Sequence, residues 1–422
     1  MATSAVRRPP SLPADRDLPG AASLLEGTGA ERVARFLDER GLEPHRVEPA
    51  QAHYRPGRWL AVCFRTGAVE RATGRPLTPT VTMECRAGEA EAIRMFPDDP
   101  DLPGLRAAAH GDLVARRLRS KPVAVDVEPL RYRPRRRAVL RYRLLQAEAE
   151  ASYAGAAGGR VRVLFAKVVT PARGRRLLAL ADGLRPTGLR LALPAGRVGP
   201  GALVIPPLPG TSLRDMLVGG GPLPSPERVV EFSAELHRRA WPAVGAGMPG
   251  DRTALRRRLD PGTALCAAHV VARLLPEHGA VAGRLAEAVL GRADESEPGD
   301  EWLVHGDLYE NQILVDGQTL GLLDVDDLGP GDPLLDAANF SAHLLLLGTS
   351  GIPAAATVLG YRDELRAAYC RQLDAGSAAL AWREAYCLLR LAAGPFRALH
   401  PDWPSRMAAR LDLATQILSA RR

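Results

Sequence analysis

Residues 302–336 read WLVHGDLYENQILVDGQTLGLLDVDDLGPGDPLLD, and the fold of the whole chain depends on how this stretch turns back on itself. Two apolar runs, Gln312 to Val315 and Gln318 to Leu323, flank Asp316-Gly317, a dipeptide that supplies the positive φ angles of a two-residue hairpin turn. Pairing Val315 with Gln318 sets Gln312 opposite Gly321. It also carries Asp324 back beside Tyr309, at the end of the hairpin where His305-Gly306-Asp307 lies. One mouth then holds Asp307, Gln312 and Asp324. Two carboxylates and an amide carbonyl are oxygen ligands of the kind a hard cation such as Mg²⁺ takes, usually shared with substrate phosphates. The stretch therefore points to phosphate chemistry.

HGDLYENQ, then LLDVDD, then GDPLLD resemble, in order and spacing, the catalytic loop and metal-binding segment of the aminoglycoside phosphotransferase-like kinases. These are small-molecule relatives of the protein kinases, whose catalytic-loop Asp meets the acceptor hydroxyl and whose D-F-G Asp holds Mg²⁺. The resemblance covers residues 120–400 and is most specific in 302–340. It implies an α+β, two-lobed protein-kinase-like fold, with a small β-rich lobe and a large helical lobe, that uses ATP and Mg²⁺. On this pattern Asp307 is catalytic, Asp324 is a metal ligand and His305 organises the loop. Where the family carries Asn, five residues after Asp307, this chain has Gln312, as maltokinase-like members do. Gln312 is therefore assigned the second metal position, with Asn311 and Asp326 in reserve. Asp332, before Pro333, reads as a structural, capping carboxylate.

Lysine usage adds a residue. Of 56 basic side chains only Lys121 and Lys167 are lysines. Lys167 sits in VRVLFAKVV, an apolar, β-branched run that reads as a strand. A compact ammonium reaches between phosphates where a broad guanidinium fork does not, and Lys167 matches the strand lysine of the kinase small lobe. The helix partner of that lysine is missing, because no Glu occurs between Lys167 and Glu227; Asp182, on the helical segment Arg175 to Leu184, is the only carboxylate before the expected hinge. Upstream, PLRYRPRRRAVLRYRLL reads as strand, turn, strand. Arginines 135, 136 and 137 stand where related kinases place a glycine-rich phosphate loop, and Arg136 is taken as the phosphate contact. Gly155 to Gly159 is a weaker phosphate-loop candidate. ALVIPPLPG, residues 202–210, resembles the hinge between kinase lobes, which makes the Pro206 carbonyl and the Leu208 N–H the groups that would meet adenine, since proline keeps its carbonyl but has no N–H.

HYRPGRWLAVCFR, from His53, aligns without gaps on RYRPRRRAVLRYR, from Arg131, at an offset of 78, which suggests an internal repeat. The expected organisation is a disordered tail (1–20), an extra N-terminal α/β module built partly like the small lobe and lacking its lysine (21–118), a kinase-like N-lobe (119–208) and a helical C-lobe with catalytic and acceptor sites (209–422). A chain of 422 residues suits two or three domains.

Composition excludes other classes. The first twenty residues contain no apolar core segment of a signal peptide, and Ala337 to Tyr361 is too interrupted by polar residues, glycine and proline for a membrane span. Five cysteines without a C-x-x-C pair fit a reducing cytoplasm. The net charge of +8 invites a nucleic-acid reading, but the basic residues are spread along the chain and aromatics are only 5%, leaving little to stack on bases. The expected partner is a small-molecule acceptor, with no nucleic acid and no membrane. From Tyr361 to Arg422 ten arginines face six acids, a balance that suits a neutral or anionic hydroxyl compound better than a polycation. The functional expectation is an ATP-dependent phosphotransferase acting on a hydroxyl or amine of a small molecule such as a sugar, amino sugar or antibiotic. A non-catalytic pseudokinase is the alternative.

Overall fold

In the computed structural model, which describes residues 12, 14–145, 161–245, 261–292 and 302–420, each of the two repeated hairpins builds its own five-stranded sheet. Helices α1 (Ala21–Leu25) and α2 (Gly27–Asp38) precede the first. Its strands are β1 (Leu42–Arg55), β2 (Trp59–Glu70), β3 (Pro76–Leu77), β4 (Thr80–Arg86) and β5 (Ala92–Met95), in the order β1-β2-β4-β5 with β3 on β2. Helices α3 (Leu105–Ala108) and α4 (Gly111–Arg117) then lead into β6 (Ala124–Arg133), β7 (Arg137–Leu145) and β8 (Val161–Val168). After α5 (Pro171–Leu184), strands β9 (Gly196–Gly199) and β10 (Ala202–Ile205) complete the order β6-β7-β8-β10-β9. Every pair in both sheets is antiparallel, so side chains alternate between a core face and an outer face. In the second sheet Leu140, Tyr142, Leu144 and Ala166 turn into a core closed by Leu105 and Val114. Lys167 consequently points the other way.

The helical lobe follows. It runs β11 (Thr211–Ser212), α6 (Leu213–Gly219), α7 (Pro226–Gly245), α8 (Pro261–Leu274), α9 (Gly279–Leu290), β12 (Trp302–Val304), β13 (Ile313–Asp316), β14 (Thr319–Leu322) and β15 (Gly329–Gly331). Then come α10 (Pro333–Gly348), α11 (Ala355–Gln372), α12 (Ser377–Leu391), α13 (Gly394–Arg397) and α14 (Trp403–Ser419). Asp332 starts α10 by accepting the Leu334 N–H at 2.9 Å, with Pro333 at the first helical position, a strong start signal. The helix is buried nearly all round, the mark of a central core helix. Its own Phe340 and, around it, Trp382, Phe396 and Trp403 are fully buried, each stabilising the lobe by roughly 1.5–3 kcal/mol or more through removal from water. No described helix is long and apolar enough to cross a membrane.

The two N-terminal hairpins share one register. His53, Tyr54 and Arg55 pair with Ala61, Leu60 and Trp59; Arg131, Tyr132 and Arg133 pair with Val139, Ala138 and Arg137, each 78 residues on. The turns correspond too, with Gly57 at φ +67° and Arg135 at φ +61°. A buried carboxylate closes each turn. Asp15 Oδ2 accepts from Tyr54 Oη at 2.6 Å and Gly57 N at 2.9 Å; Asp99 Oδ2 accepts from Tyr132 Oη at 2.8 Å and Arg135 N at 2.7 Å. Both aspartates open the hexapeptide Asp-x-Asp-Leu-Pro-Gly, at 15–20 and 99–104. Asp15 and Leu18 are buried, so the expected disordered tail does not extend through residues 14–20; residues 1–11 and 13 lie outside the described residues, as do Gly155 to Gly159. The hexapeptide is the signal that the tail reading passed over.

One predicted register is corrected. Asp316 pairs with Thr319, Val315 with Leu320 and Leu314 with Gly321, so Gln312 lies opposite Leu323, whose N–H it accepts at 2.8 Å. The loop is Gly317-Gln318 rather than Asp316-Gly317. Positive φ falls on Gly317 alone, and a two-residue loop with one such residue places glycine first. The correction sets Asp324 next after the partner of Gln312.

Candidate active site

A carboxylate on α10 grips the HGD loop from below. Asp336 Oδ2 accepts the His305 N–H at 2.6 Å and Oδ1 the Gly306 N–H at 2.9 Å. Burial pushes the Asp336 carboxyl up, against the opposing pull of His305 and those two N–H groups. The buried His305 ring completes the loop: Nδ1 accepts from Asp307 N at 3.3 Å, so Nε2 carries the proton it donates to Leu323 O at 2.9 Å. The imidazole thus ties the loop to the end of β14. Asn339 Nδ2 donates to Leu308 O at 2.9 Å and reaches Asp307 Oδ1 at 3.5 Å, fixing the side of the loop on which Asp307 stands. Asp332 bonds Arg383 Nε at 2.7 Å, with both side chains buried.

Asp324 occupies the left-handed region, φ 54° and ψ 48°, a conformation uncommon outside glycine and concentrated at functional sites. Its Oδ2 lies 3.2 Å from Arg137 Nη1, and its Oδ1 bonds Lys167 Nζ. Burial alone would raise this carboxyl; Lys167 and Arg137 overcome it and hold the group at about 2. Gln312 is buried beside this segment and Asn311 is exposed. Among the described residues no three His, Cys, Asp or Glu side chains converge on a metal-sized site. One carboxylate with an amide suits Mg²⁺, which keeps waters and phosphate oxygens among its ligands.

Lys167 is buried, and Asp326 Oδ1 lies 2.7 Å from its Nζ. Asp326 and Asp327 in turn meet Arg173 Nη2, on α5, at 3.4 and 3.2 Å. In protein kinases that helix supplies a Glu to the lysine. Here the polarity is reversed: the helix carries the cation, and the carboxylate for Lys167 comes from LLDVDD. Asp182 is exposed against Arg185 and takes no part.

Sequence reasoning chose Arg136 among the tip arginines. The structure leaves Arg136 exposed and brings Arg137 to Asp324. Once Val139 is seen to pair with Lys167, strand parity accounts for it, because Arg137 lies two residues before Val139, on the same face. At the hinge, Pro206 O and Leu208 N make no backbone hydrogen bond among the described residues.

Beyond Asp307 the cleft is basic. Burial and the charges of Arg131, Arg137, Arg136 and Arg397 bring Arg133 down to about 10. Burial, with Arg133, Arg397, Arg136 and Arg131, likewise brings His53 down to about 4, so its ring is neutral near pH 7. Arg390, over the Tyr386 ring at 5.5 Å, and Arg397 both feel the charge of Asp307. Composition counts pointed to arginine excess in this lobe without locating it.

The phosphotransferase enzyme family model matches residues 168–386. A search of curated proteins gave no match. Among solved structures the chain is similar to choline kinase from Cryptosporidium parvum (10% identity, 73% of this chain and 94% of that one, TM-score 0.48). It is also similar to an aminoglycoside phosphotransferase in ternary complex with AMP-PNP and hygromycin B (13%, 74% and 98%, TM-score 0.46). A third is an aminoglycoside phosphotransferase from Streptomyces rimosus (20%, 63% and 91%, TM-score 0.38). The family match spans more than half of the sequence, including the lysine-bearing strand's end, the HGD loop and LLDVDD, and so the chain belongs to the phosphotransferase enzyme family, as a small-molecule kinase with a β-rich N-terminal part and a helical C-terminal part.

Proposed function

We propose that the protein transfers the γ-phosphoryl group of ATP to a hydroxyl (or amine) of a small molecule such as a sugar, amino sugar or antibiotic. The observation that carries this reading is the meeting of Lys167 and Arg137 on Asp324, which the His305 ring ties to the Asp307 loop. Asp324 and Gln312 would hold Mg²⁺, which supplies charge neutralisation at the phosphate oxygens. Lys167, Arg137 and the exposed Arg136 offer cations to the phosphates, and Pro206 O with Leu208 N offers adenine an acceptor and a donor. The acceptor oxygen attacks the γ-phosphorus, the bond from that phosphorus to the β,γ-bridging oxygen breaks with its electron pair leaving on ADP, and the hydroxyl proton passes to Asp307. Positioning and charge neutralisation supply most of the barrier reduction in such transfers. The N-terminal module is read as a degenerate copy of the small lobe: by the shared register Glu84, opposite Ala61, stands where Lys167 stands opposite Val139.

A screen of hydroxylated metabolites for ADP release tests the activity. With the acceptor it yields, Asp307→Asn is expected to keep nucleotide affinity and lose about 10²-fold or more in turnover. Unchanged turnover sinks the assignment. Nucleotide binding with no transfer to any acceptor would favour the pseudokinase reading.

A further inference from the structure

The phosphotransferase reading leaves four guanidinium groups without work. Arg131 and Arg133 lie on the β6–β7 hairpin, Arg390 on α12 and Arg397 on α13. None of them forms an ion pair with a carboxylate among the described residues. Other arginines at this cleft are paired: Arg137 with Asp324, Arg173 with Asp326 and Asp327, Arg135 with Glu84. Charge effects link Arg133 with Arg131 and Arg397, and Arg397 with Arg390, and two contacts hold the elements that carry them. Arg137 seats the tip of the β6–β7 hairpin on the metal-binding segment, and the Tyr54 ring meets Phe396 edge-on at 6.3 Å, which sets the β1–β2 hairpin beside Arg397. His53, next to Tyr54, feels Arg133, Arg397 and Arg131, and its Nε2 is buried with no hydrogen-bond partner.

Arg390 bonds Cys387, and Arg131 and Arg397 are exposed; guanidinium groups that lack a carboxylate partner and lie within reach of one another's charge repel, and a bound anion relieves that repulsion. The triphosphate is one anion available, but Lys167, Arg137 and Arg136 already stand at its end of the site. Arg390 and Arg397 sit on the helical lobe, within reach of the charge of Asp307. In an in-line transfer the acceptor enters opposite the leaving ADP, on the side of the base. Resting on the function proposed above, we infer that the acceptor is an anionic hydroxyl compound whose carboxylate or phosphate is gripped by Arg131, Arg133, Arg390 and Arg397, with His53 from the N-terminal module at the edge of the grip. Guanidinium forks pair bidentately with both groups. The same charges turn away cationic acceptors by like-charge repulsion.

The test titrates the full chain, saturated with Mg²⁺ and AMP-PNP so that the triphosphate positions are filled, with glucuronate, glucose 6-phosphate, 3-phosphoglycerate, glucose and glucosamine by calorimetry. At least one anion is expected to bind tenfold or more tighter than glucose, with glucosamine weakest. Arg397→Gln and Arg133→Gln are each expected to weaken that anion about tenfold and to leave AMP-PNP affinity within twofold. Glucose or glucosamine binding as tightly as every anion, failure of all three anions to bind, or anion binding indifferent to both substitutions overturns the inference. A chain that does not take up AMP-PNP at the start fails the phosphotransferase reading instead, and the two failures are read separately.

Discussion

The two N-terminal hairpins share a register, a turn conformation and a closing aspartate, yet the equivalent buried position holds Glu84 in one and Lys167 in the other. Each charge meets a partner from the next unit along the chain, and Glu84 is met from its own sheet as well. Glu84 Oε2 meets Arg135 Nε at 2.8 Å from the tip of the second hairpin and Arg94 Nη1 at 3.1 Å. Lys167 meets Asp324 and Asp326 from the helical lobe. The difference teaches that one strand arrangement serves two purposes. A buried ammonium beside LLDVDD ties the second hairpin to the candidate site, whereas a buried carboxylate covered by an arginine makes a joint between the hairpins. Arg135, left-handed without being glycine, is the residue that the joint holds in place, through Asp99 and Glu84.

The sharpest way to break this comparison is to remove one anion from each side. Asp324→Ala is expected to abolish Mg²⁺-dependent ATP binding, whereas Glu84→Ala leaves ATP affinity within twofold, both read by calorimetric titration. If Glu84→Ala abolished binding, the first module would be part of the nucleotide site. Loss of Glu84 should instead register in stability. Glu84→Gln leaves Arg135 without its closest carboxylate, and for a pair buried on one side this costs about 3 kcal/mol, visible as a lower urea midpoint with an unchanged slope.

Acid titration sharpens the same contrast. The carboxyl of Asp324 is lower in the folded protein than in the unfolded chain. Its stabilisation, on the order of 2 kcal/mol, is therefore complete above the unfolded value near 3.8 and is lost as pH falls toward 2. Asp324→Asn should flatten the fall in stability, followed by circular dichroism, across that window. Asp15 is also lowered, since its bonds to Gly57, Tyr54 and Asp17 outweigh the upward push of burial. Asp15→Asn should flatten the acid limb in the same direction, by a smaller amount. An unchanged limb in both variants would mean that neither carboxylate is held as described. The smallest effect distinguishes two neighbours: Gln312→Ala should raise the Mg²⁺ requirement more than Asn311→Ala does, and the opposite ranking would move the metal role to Asn311.

What the sequence determined by itself was local and periodic. HGD, LLDVDD and GDPLLD carried the family resemblance, the apolar, β-branched run VRVLFAKVV put Lys167 on a strand, and an ungapped alignment at offset 78 showed two like hairpins. Such signals survive in one dimension because each is read within a short contiguous stretch of the chain. Tertiary structure decided what depends on groups distant in sequence. The Asp324 pairing selected Arg137 from three adjacent arginines, across 187 positions, and strand parity became useful only once the partner strand was known. The absent helix Glu was answered by Asp326, with Arg173 behind it, because a buried ammonium requires a carboxylate from whichever segment folds against it. The hairpin register turned on the single residue, Gly317, that took the positive φ. The arginines beyond Asp307 were countable in the sequence, but their convergence, and the lack of acids among them, came only from packing the hairpins against the helical lobe.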